Sequence, residues 1–225
     1  MIKVISFSIW GNNPKYLVGL RRNLELMRDV YPGWMAAIYW GNDIAEEVRF
    51  EILHQFDDLH KLSIIHQSAD WRNMFHRFRV LDDLPEADLF ISRDCDSRLT
   101  HREAAAVNEW VGGDAGFHTT HDHYHHSVPM LGGMWGMKRG AMPGFTEQLN
   151  DWVNNCGSYW QVDQEFLTQR IWPVARHDVL NHADFHTKLW PGVAIPIARQ
   201  GHEFIGATYD EHDVIDAAQV RCLYG

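Results

Sequence analysis

Cysteine is scarce in this chain. Three thiols, Cys95, Cys156 and Cys222, stand far apart in 225 residues, which argues against a disulfide framework and fits a reducing compartment. Long apolar runs are missing too: none approaches the roughly 18 residues needed to span a bilayer. The start, MIKVISFSIWGNN, has neither the length nor the small-residue cleavage site of a secretion signal. A cytoplasmic location without a membrane span is the expectation. Basic residues are in deficit, with 20 Lys and Arg against 30 Asp and Glu and a net charge of -10. Duplex nucleic acid is therefore a poor partner. No repeat, low-complexity tract or linker interrupts the chain.

What is present is an ordinary globular composition, 45% hydrophobic and 22% charged, in a length that suits one domain. Histidine and tryptophan are abundant, at 15 and 10 residues. Tryptophan suits sugar-stacking surfaces, but most of these fit a plain core.

Short apolar runs alternate with helical patterns. KVISFSI (3–9) reads as a buried strand followed by a Gly-Asn-Asn turn, with Asn13 as cap and Pro14 at the first helical position. Leu17, Leu20, Leu24 and Met27 carry the helical period. WMAAIYW (34–40) and KLSIIH (61–66) read as strands on either side of a helix from about 43 to 56. Met74, Phe75, Phe78 and Leu81 form another helical stripe. DLFIS (88–92) is a fourth strand, and Thr100 with Glu103 has capping-box spacing. AGFHTT and PMLGGMWGM read as further strands, then helices near 145–154 and 161–171, then an irregular tail from Pro173. The alternation predicts a single α/β domain with a mainly parallel central sheet flanked by helices. Ligands of such sheets bind beyond the carboxyl ends of the strands. The Gly11–Asn13 turn and the pair Asp94 and Asp96 both follow such an end.

Two carboxylates one residue apart on a strand-exit turn suit a hard cation, which typically takes one or two carboxylates and completes its shell with substrate phosphates. The triplet Asp94-Cys95-Asp96 alone is weak, since such triplets arise by chance. The strand before it, the capped helix after it and the flanking Arg93 and Arg98 add weight. A bound cation would also reconcile an acidic chain with a diphosphate ligand.

LFISRDCDSRL resembles the DxD motif of nucleotide-sugar-dependent glycosyltransferases of the GT-A, Rossmann-like fold. ISFSIWGNNPKYLVGLRRN, NMFHRFRVLDD, VPMLGGMWGMKRG, VDQEFLTQRIWP and HEFIGATYD resemble other segments of that family in order and spacing. The pattern is similar to that of bacterial and large-DNA-virus enzymes, capsid-glycosylating ones among them, over nearly the whole chain. The resemblance implies a GT-A domain over 1–225, with a nucleotide-binding part at about 1–98 and an acceptor-side part at about 99–225. It implies sugar transfer from a nucleoside diphosphate sugar, UDP first, to a glycan or other hydroxyl acceptor, dependent on Mn²⁺ or Mg²⁺.

The resemblance makes Asp96 a metal ligand and Asp94 a ligand of the metal or the donor ribose. It implies a third metal ligand from a C-terminal histidine, His182 or His186. Cys95 receives no role. Arg93 and Arg98 are placed to neutralise diphosphate, or else to pair with the aspartates. Arg77 resembles an arginine that reaches the donor, with surface exposure the other reading. Gly132 and Gly133 mark close approach to the donor sugar or a β-bulge. Asp163, on the inward face of its helix with Phe166 and Leu167, is a general base in an inverting mechanism or a partner of the helix dipole. FHTTHDHYHHS lines the acceptor side, with His123 and His126, or is a solvated loop. Its spacing matches no structural zinc site. Trp135 packs against a sugar or in the core. Two rival functions stand: a metal-dependent phosphohydrolase, from the dipeptides His121–Asp122, His177–Asp178 and His212–Asp213, and a non-catalytic nucleotide-sugar-binding module.

Overall fold

The computed structural model describes residues 1–66 and 69–223, with backbone alone at 60–62, 65 and 66. β1 (Lys3–Ile9) leads into α1 (Pro14–Val30), β2 (Met35–Gly41), α2 (Glu46–Gln55) and β3 (His60–His66). Two short helices, α3 (Asn73–His76) and α4 (Val80–Asp83), precede β4 (Leu89–Arg93) and α5 (His101–Gly112). β5 (Phe117–His121), β6 (Met134–Lys138) and α6 (Phe145–Asn155) follow. α7 (Val162–Phe166) runs through a π turn (Leu167–Ile171) into α8 (Trp172–Ala175). β7 (Val179–Ala183) and α9 (Ala217–Arg221) complete the described elements.

The strands form one sheet in the order β3-β2-β1-β4-β6-β5-β7. β1 pairs in parallel with β2 and with β4, β2 with β3, and β5 with β7. β6 alone runs antiparallel, between β4 and β5. The expected mainly parallel α/β sheet is the one observed. The chain leaves β1 for β2 on one side and returns to β4 on the other, so the strand order reverses beside β1. The crevice beyond the carboxyl ends of β1 and β4 is the topological switch point.

Both faces of the sheet are buried, which is why the strands read as continuous apolar runs. Ile5, Phe7, Ile38 and Ile91 pack under α1 and α5 with Leu20, Leu24, Trp34 and Trp110. Val4, Tyr39, Phe90 and Trp135 pack on the other side with Phe75, Phe78 and Phe166. Leu20, Leu24 and Met27 are fully buried, so truncating one to alanine costs about 2–5 kcal/mol.

Four expectations change. The stripe from Met74 to Leu81 is two short helices, because the Arg77 N–H leaves the helical path to donate to Ser8 Oγ at 3.0 Å. PMLGGMWGM becomes strand only at Met134, and Ser92 Oγ donates to the Gly132 carbonyl at 2.7 Å to hold the preceding loop over the strand end. The helix expected at 161–171 widens into a π turn before Pro173, whose missing N–H breaks the regular ladder of a continuing helix. The irregular tail contains β7, whose Asn181 and His182 are buried polar residues. No described helix is long and apolar enough to cross a membrane.

Candidate active site

Two turns meet at the switch point. Beyond β1, Gly11 takes φ 79°, a left-handed conformation that glycine adopts without strain, and its N–H donates to Asp43 Oδ2 at 2.8 Å. Asn13 then caps α1, its side chain accepting from Lys15 N at 3.1 Å, as its place before Pro14 predicts. Beyond β4, the chain turns at Asp94–Ser97, with Ser97 Oγ donating to the Asp94 carbonyl at 2.9 Å.

α1 seats this second turn. Asn23, fully buried in the apolar stripe of α1, donates to the Ser97 carbonyl at 3.0 Å and accepts from the Leu99 N–H at 3.0 Å. Gly19 lies so close that an added Cβ would stand 1.9 Å from the Cys95 carbonyl oxygen. A polar Asn23 among buried apolar positions was the sequence signal for this clamp.

Alternation through β4 and its exit turn sorts the side chains. Leu89, Ile91 and Cys95 belong to the core under α1 and α5. The buried Cys95 Sγ donates to the Ser8 carbonyl at 3.4 Å, and burial pushes its thiol far above the usual range. Asp94 and Asp96 instead open into a cleft of about 980 Å³. Its walls also include Asn12, Asn13, Tyr16, Arg77, Gly132, Gly133, Asp163 and the loop His123–Ser127.

Arg77 organises the floor. Its side chain is only 7% exposed and ion-pairs with Asp94 Oδ1 through Nη1 and with Asp163 Oδ2 through Nη2, the second at 3.0 Å. The other Asp163 oxygen accepts from Gln164 N at 2.9 Å. Burial raises the Asp163 carboxyl above its usual range, against the pull of Arg77 and with help from Asp94. Asp96 is raised by burial and by Asp94, opposed by Lys15, whose Nζ lies 2.8 Å from Asp96 Oδ2. The two glycines make this network possible. An added Cβ at Gly132 would stand 2.2 Å from Asp163 Oδ2, and one at Gly133 would stand 2.0 Å from Asp94 Oδ2. Their close approach in this structure is to carboxylates.

The histidine segment divides. His118 and His121 on β5 are core residues, bonded to His182 and Asn181 of β7 at 3.0 and 2.8 Å. His123, His125 and His126 line the cleft. His123 Nδ1 accepts from His125 N, so its Nε2 carries the proton and donates to the Gln219 carbonyl at 2.8 Å. His126 Nδ1 accepts from Asp122 N at 3.0 Å.

Several expected residues lie elsewhere. Arg93 shares the face of Leu89 and Ile91, fully buried against Glu103 at 2.5 Å, so it does not reach the cleft. Arg98 pairs with Asp213 at 2.8 Å and covers the Tyr209 ring. Trp135 packs in the core against Phe78 and Phe90. His182 is buried beside Glu109 and His118, away from the aspartates. His186 lines the cleft, but its Nε2 bonds the Tyr124 carbonyl at 2.5 Å. Lys15, Tyr124 and Trp160, the last 85% exposed at the cleft, were not singled out from sequence.

Among the described residues, no group of three or more His, Cys, Asp or Glu comes together as a metal cluster. The potential donor set is therefore Asp94, whose side chain is 46% exposed, and Asp96. Two hard carboxylates open to a ligand cleft fit Mg²⁺ or Mn²⁺ completed by ligand phosphates. The His-Asp dipeptides do not gather. Asp122 is buried between Arg102 and Arg199, and Asp213 pairs with Arg22 and Arg98. The seven-stranded sheet also departs from the mainly helical architecture that the phosphohydrolase reading requires.

No family model and no curated protein matches the chain. Solved structures do. A 4-diphosphocytidyl-2C-methyl-D-erythritol synthase from Anaerococcus prevotii superposes with a TM-score of 0.52 at 11% identity, covering 81% of this chain and 86% of that one. The galactosyltransferase LgtC, in complex with donor and acceptor sugar analogues, gives 0.50 at 10% identity over 80% and 73%. A glycosyltransferase involved in glycosylation of the major capsid of PBCV-1 gives 0.49 at 11% identity over 81% and 82%. At these identities the likeness is one of fold. The GT-A-like fold expected from the sequence is the fold observed, and sugar transferases and nucleotidyltransferases share it.

Proposed function

We propose that this chain is a glycosyltransferase that moves a sugar from a nucleoside diphosphate, UDP first, to an acceptor hydroxyl. One observation carries the reading. The guanidinium of Arg77 is held between Asp94 and Asp163 on the floor of a cleft at the switch point. In the transfer, the acceptor oxygen bonds to the anomeric carbon as the bond from that carbon to the diphosphate breaks. The bonding pair leaves on the phosphate oxygen, and the acceptor proton passes to a base or solvent. Charge thus builds on the diphosphate, where a preorganised cation lowers the barrier. Arg77 is buried and already oriented, so it loses little freedom in meeting that charge.

Asp94 and Asp96 would hold Mn²⁺ or Mg²⁺, which when bound supplies further neutralisation of the leaving diphosphate. Asp163 is assigned the positioning of Arg77, because both its oxygens are engaged, by Arg77 and by Gln164 N–H. A general-base role would require one of them to be released to the acceptor. The histidine loop and Trp160 form the acceptor wall. Arg77 is the only Lys or Arg among the described cleft-lining residues.

The test is calorimetry and thermal shift with UDP, GDP, CDP, CTP and UDP-sugars, with and without Mn²⁺, followed by an assay of free nucleotide. The expected result is a Tm rise with one nucleoside diphosphate that grows with Mn²⁺, and slow release of free nucleotide from its sugar. Arg77→Gln should abolish the release, and Asp163→Asn should lower donor affinity and rate together without moving the pH profile. Pyrophosphate release from CTP and a sugar phosphate would replace this reading with nucleotidyl transfer. Tight donor binding without any turnover would leave a binding module.

A further inference from the structure

The Asp96 carboxylate already carries a cation. Lys15 Nζ lies 2.8 Å from its Oδ2, with the lysine side chain 28% exposed and the aspartate 14%. Asp94 likewise carries Arg77. The two cations differ in freedom. Arg77 is shared between two carboxylates, and its backbone N–H is tied to Ser8. Lys15 extends from the first turn of α1, with its ammonium 4.6 Å from the centre of the Tyr16 ring and Asp96 as its carboxylate partner. A lysine ammonium is a compact charge on a flexible stem, so Lys15 is the one able to leave.

A divalent cation cannot take Asp96 Oδ2 while the ammonium occupies it. An ammonium displaced alone loses its ion pair. A diphosphate entering the same cleft offers it a new anion. We propose that Lys15 is an exchange cation: it cedes Asp96 to a divalent metal when the donor diphosphate arrives to receive the ammonium, so that metal and nucleotide binding are coupled through this side chain. The inference rests on the metal-and-diphosphate reading above and assigns Lys15 a positioning role.

The test measures Mn²⁺ binding by electron paramagnetic resonance, with and without UDP, in the unaltered chain, Lys15→Met and Lys15→Arg. Without UDP, Lys15→Met should bind Mn²⁺ about tenfold more tightly, a coupling of ordinary size. UDP should raise Mn²⁺ affinity strongly in the unaltered chain and much less in Lys15→Met. Lys15→Arg keeps the charge and should keep weak Mn²⁺ binding in the absence of UDP, which separates the effect from misfolding. If Lys15→Met binds Mn²⁺ no more tightly while UDP still promotes Mn²⁺ binding in every protein, the exchange role is wrong and the metal reading stands. If none of the three binds Mn²⁺ with or without UDP, both fall together.

Discussion

A methyl group at Gly133 would stand 2.0 Å from Asp94 Oδ2, and one at Gly132 would stand 2.2 Å from Asp163 Oδ2. Neither carboxylate can retreat without loosening Arg77. Gly133→Ala is therefore expected to cost about 1–3 kcal/mol in urea unfolding, the usual range for overpacking, and to weaken UDP binding in calorimetry. Gly112, at the end of α5, is the control: nothing lies within 4 Å of its added carbon, and alanine there should stabilise by about 0.4–1 kcal/mol. Equal loss of UDP affinity in both variants would dissociate the glycines from the site. Gly132 and Gly133 were legible as points of close approach to a donor sugar or as a β-bulge, and the approach seen is to carboxylates. Their partners were not, because Asp94 and Asp163 are brought to them by different elements. Asp94 and Asp96 stood out in the sequence because they follow a strand end and precede a capped helix; the structure opens both into the cleft and turns Cys95 into the core.

At the scale of elements, that same alternation corrects Arg93. It ties β4 to α5 through Glu103, which also accepts from the Tyr31 hydroxyl at 2.8 Å. Arg93→Met leaves a buried carboxylate without its cation and is expected to cost about 3–5 kcal/mol. Arg93→Met combined with Glu103→Leu should recover most of that loss in thermal unfolding, with UDP affinity unchanged. A donor contact at Arg93 would instead make the double variant lose UDP while staying folded. β1 to β4, α1 and α5 could be read because their apolar periods and caps agree with the fold. Thr100 Oγ1 does accept from Glu103 N at 3.1 Å, while the Glu103 carboxylate turns inward to Arg93. β7 could not be read, because its buried residues pair as polar groups, His182 with His118 and Asn181 with His121.

Across the whole molecule, buried imidazoles set the acid response. Burial holds His118 and His126 well below the usual histidine range, with neighbouring histidines adding to the effect, and lowers His121 and His182 as well. The unfolded chain protonates these rings near pH 6.5 while the folded chain keeps them neutral. Stability is thus complete above that pH. It falls as pH drops toward the folded values, by at most about 1.4 kcal/mol per pH unit for each ring. Urea midpoints at pH 7.5 and 5.5 should show the drop, and His118→Gln should flatten it. A rise on acidification would contradict the sign. The histidine count gave no hint of this, since it does not tell the buried rings of β5 and the following loop, such as His118 and His126, from the rings left in solvent. The sheet's parallel half was visible in strand–helix alternation. The reversed β6 was not, because pairing direction leaves no mark on an apolar run.

The placement of Cys95 makes the turn its own reporter. Its sulfur is sealed in the core between two residues whose carboxylates turn the other way, into the cleft, whereas Cys156 and Cys222 are only partly covered. A thiol reagent should modify two cysteines at once and the third at the rate at which the strand exit opens. A ligand that clamps Asp94 and Asp96 should slow that third reaction. Counting labelled thiols over time by mass spectrometry would then measure occupancy of the site without any knowledge of the ligand's identity.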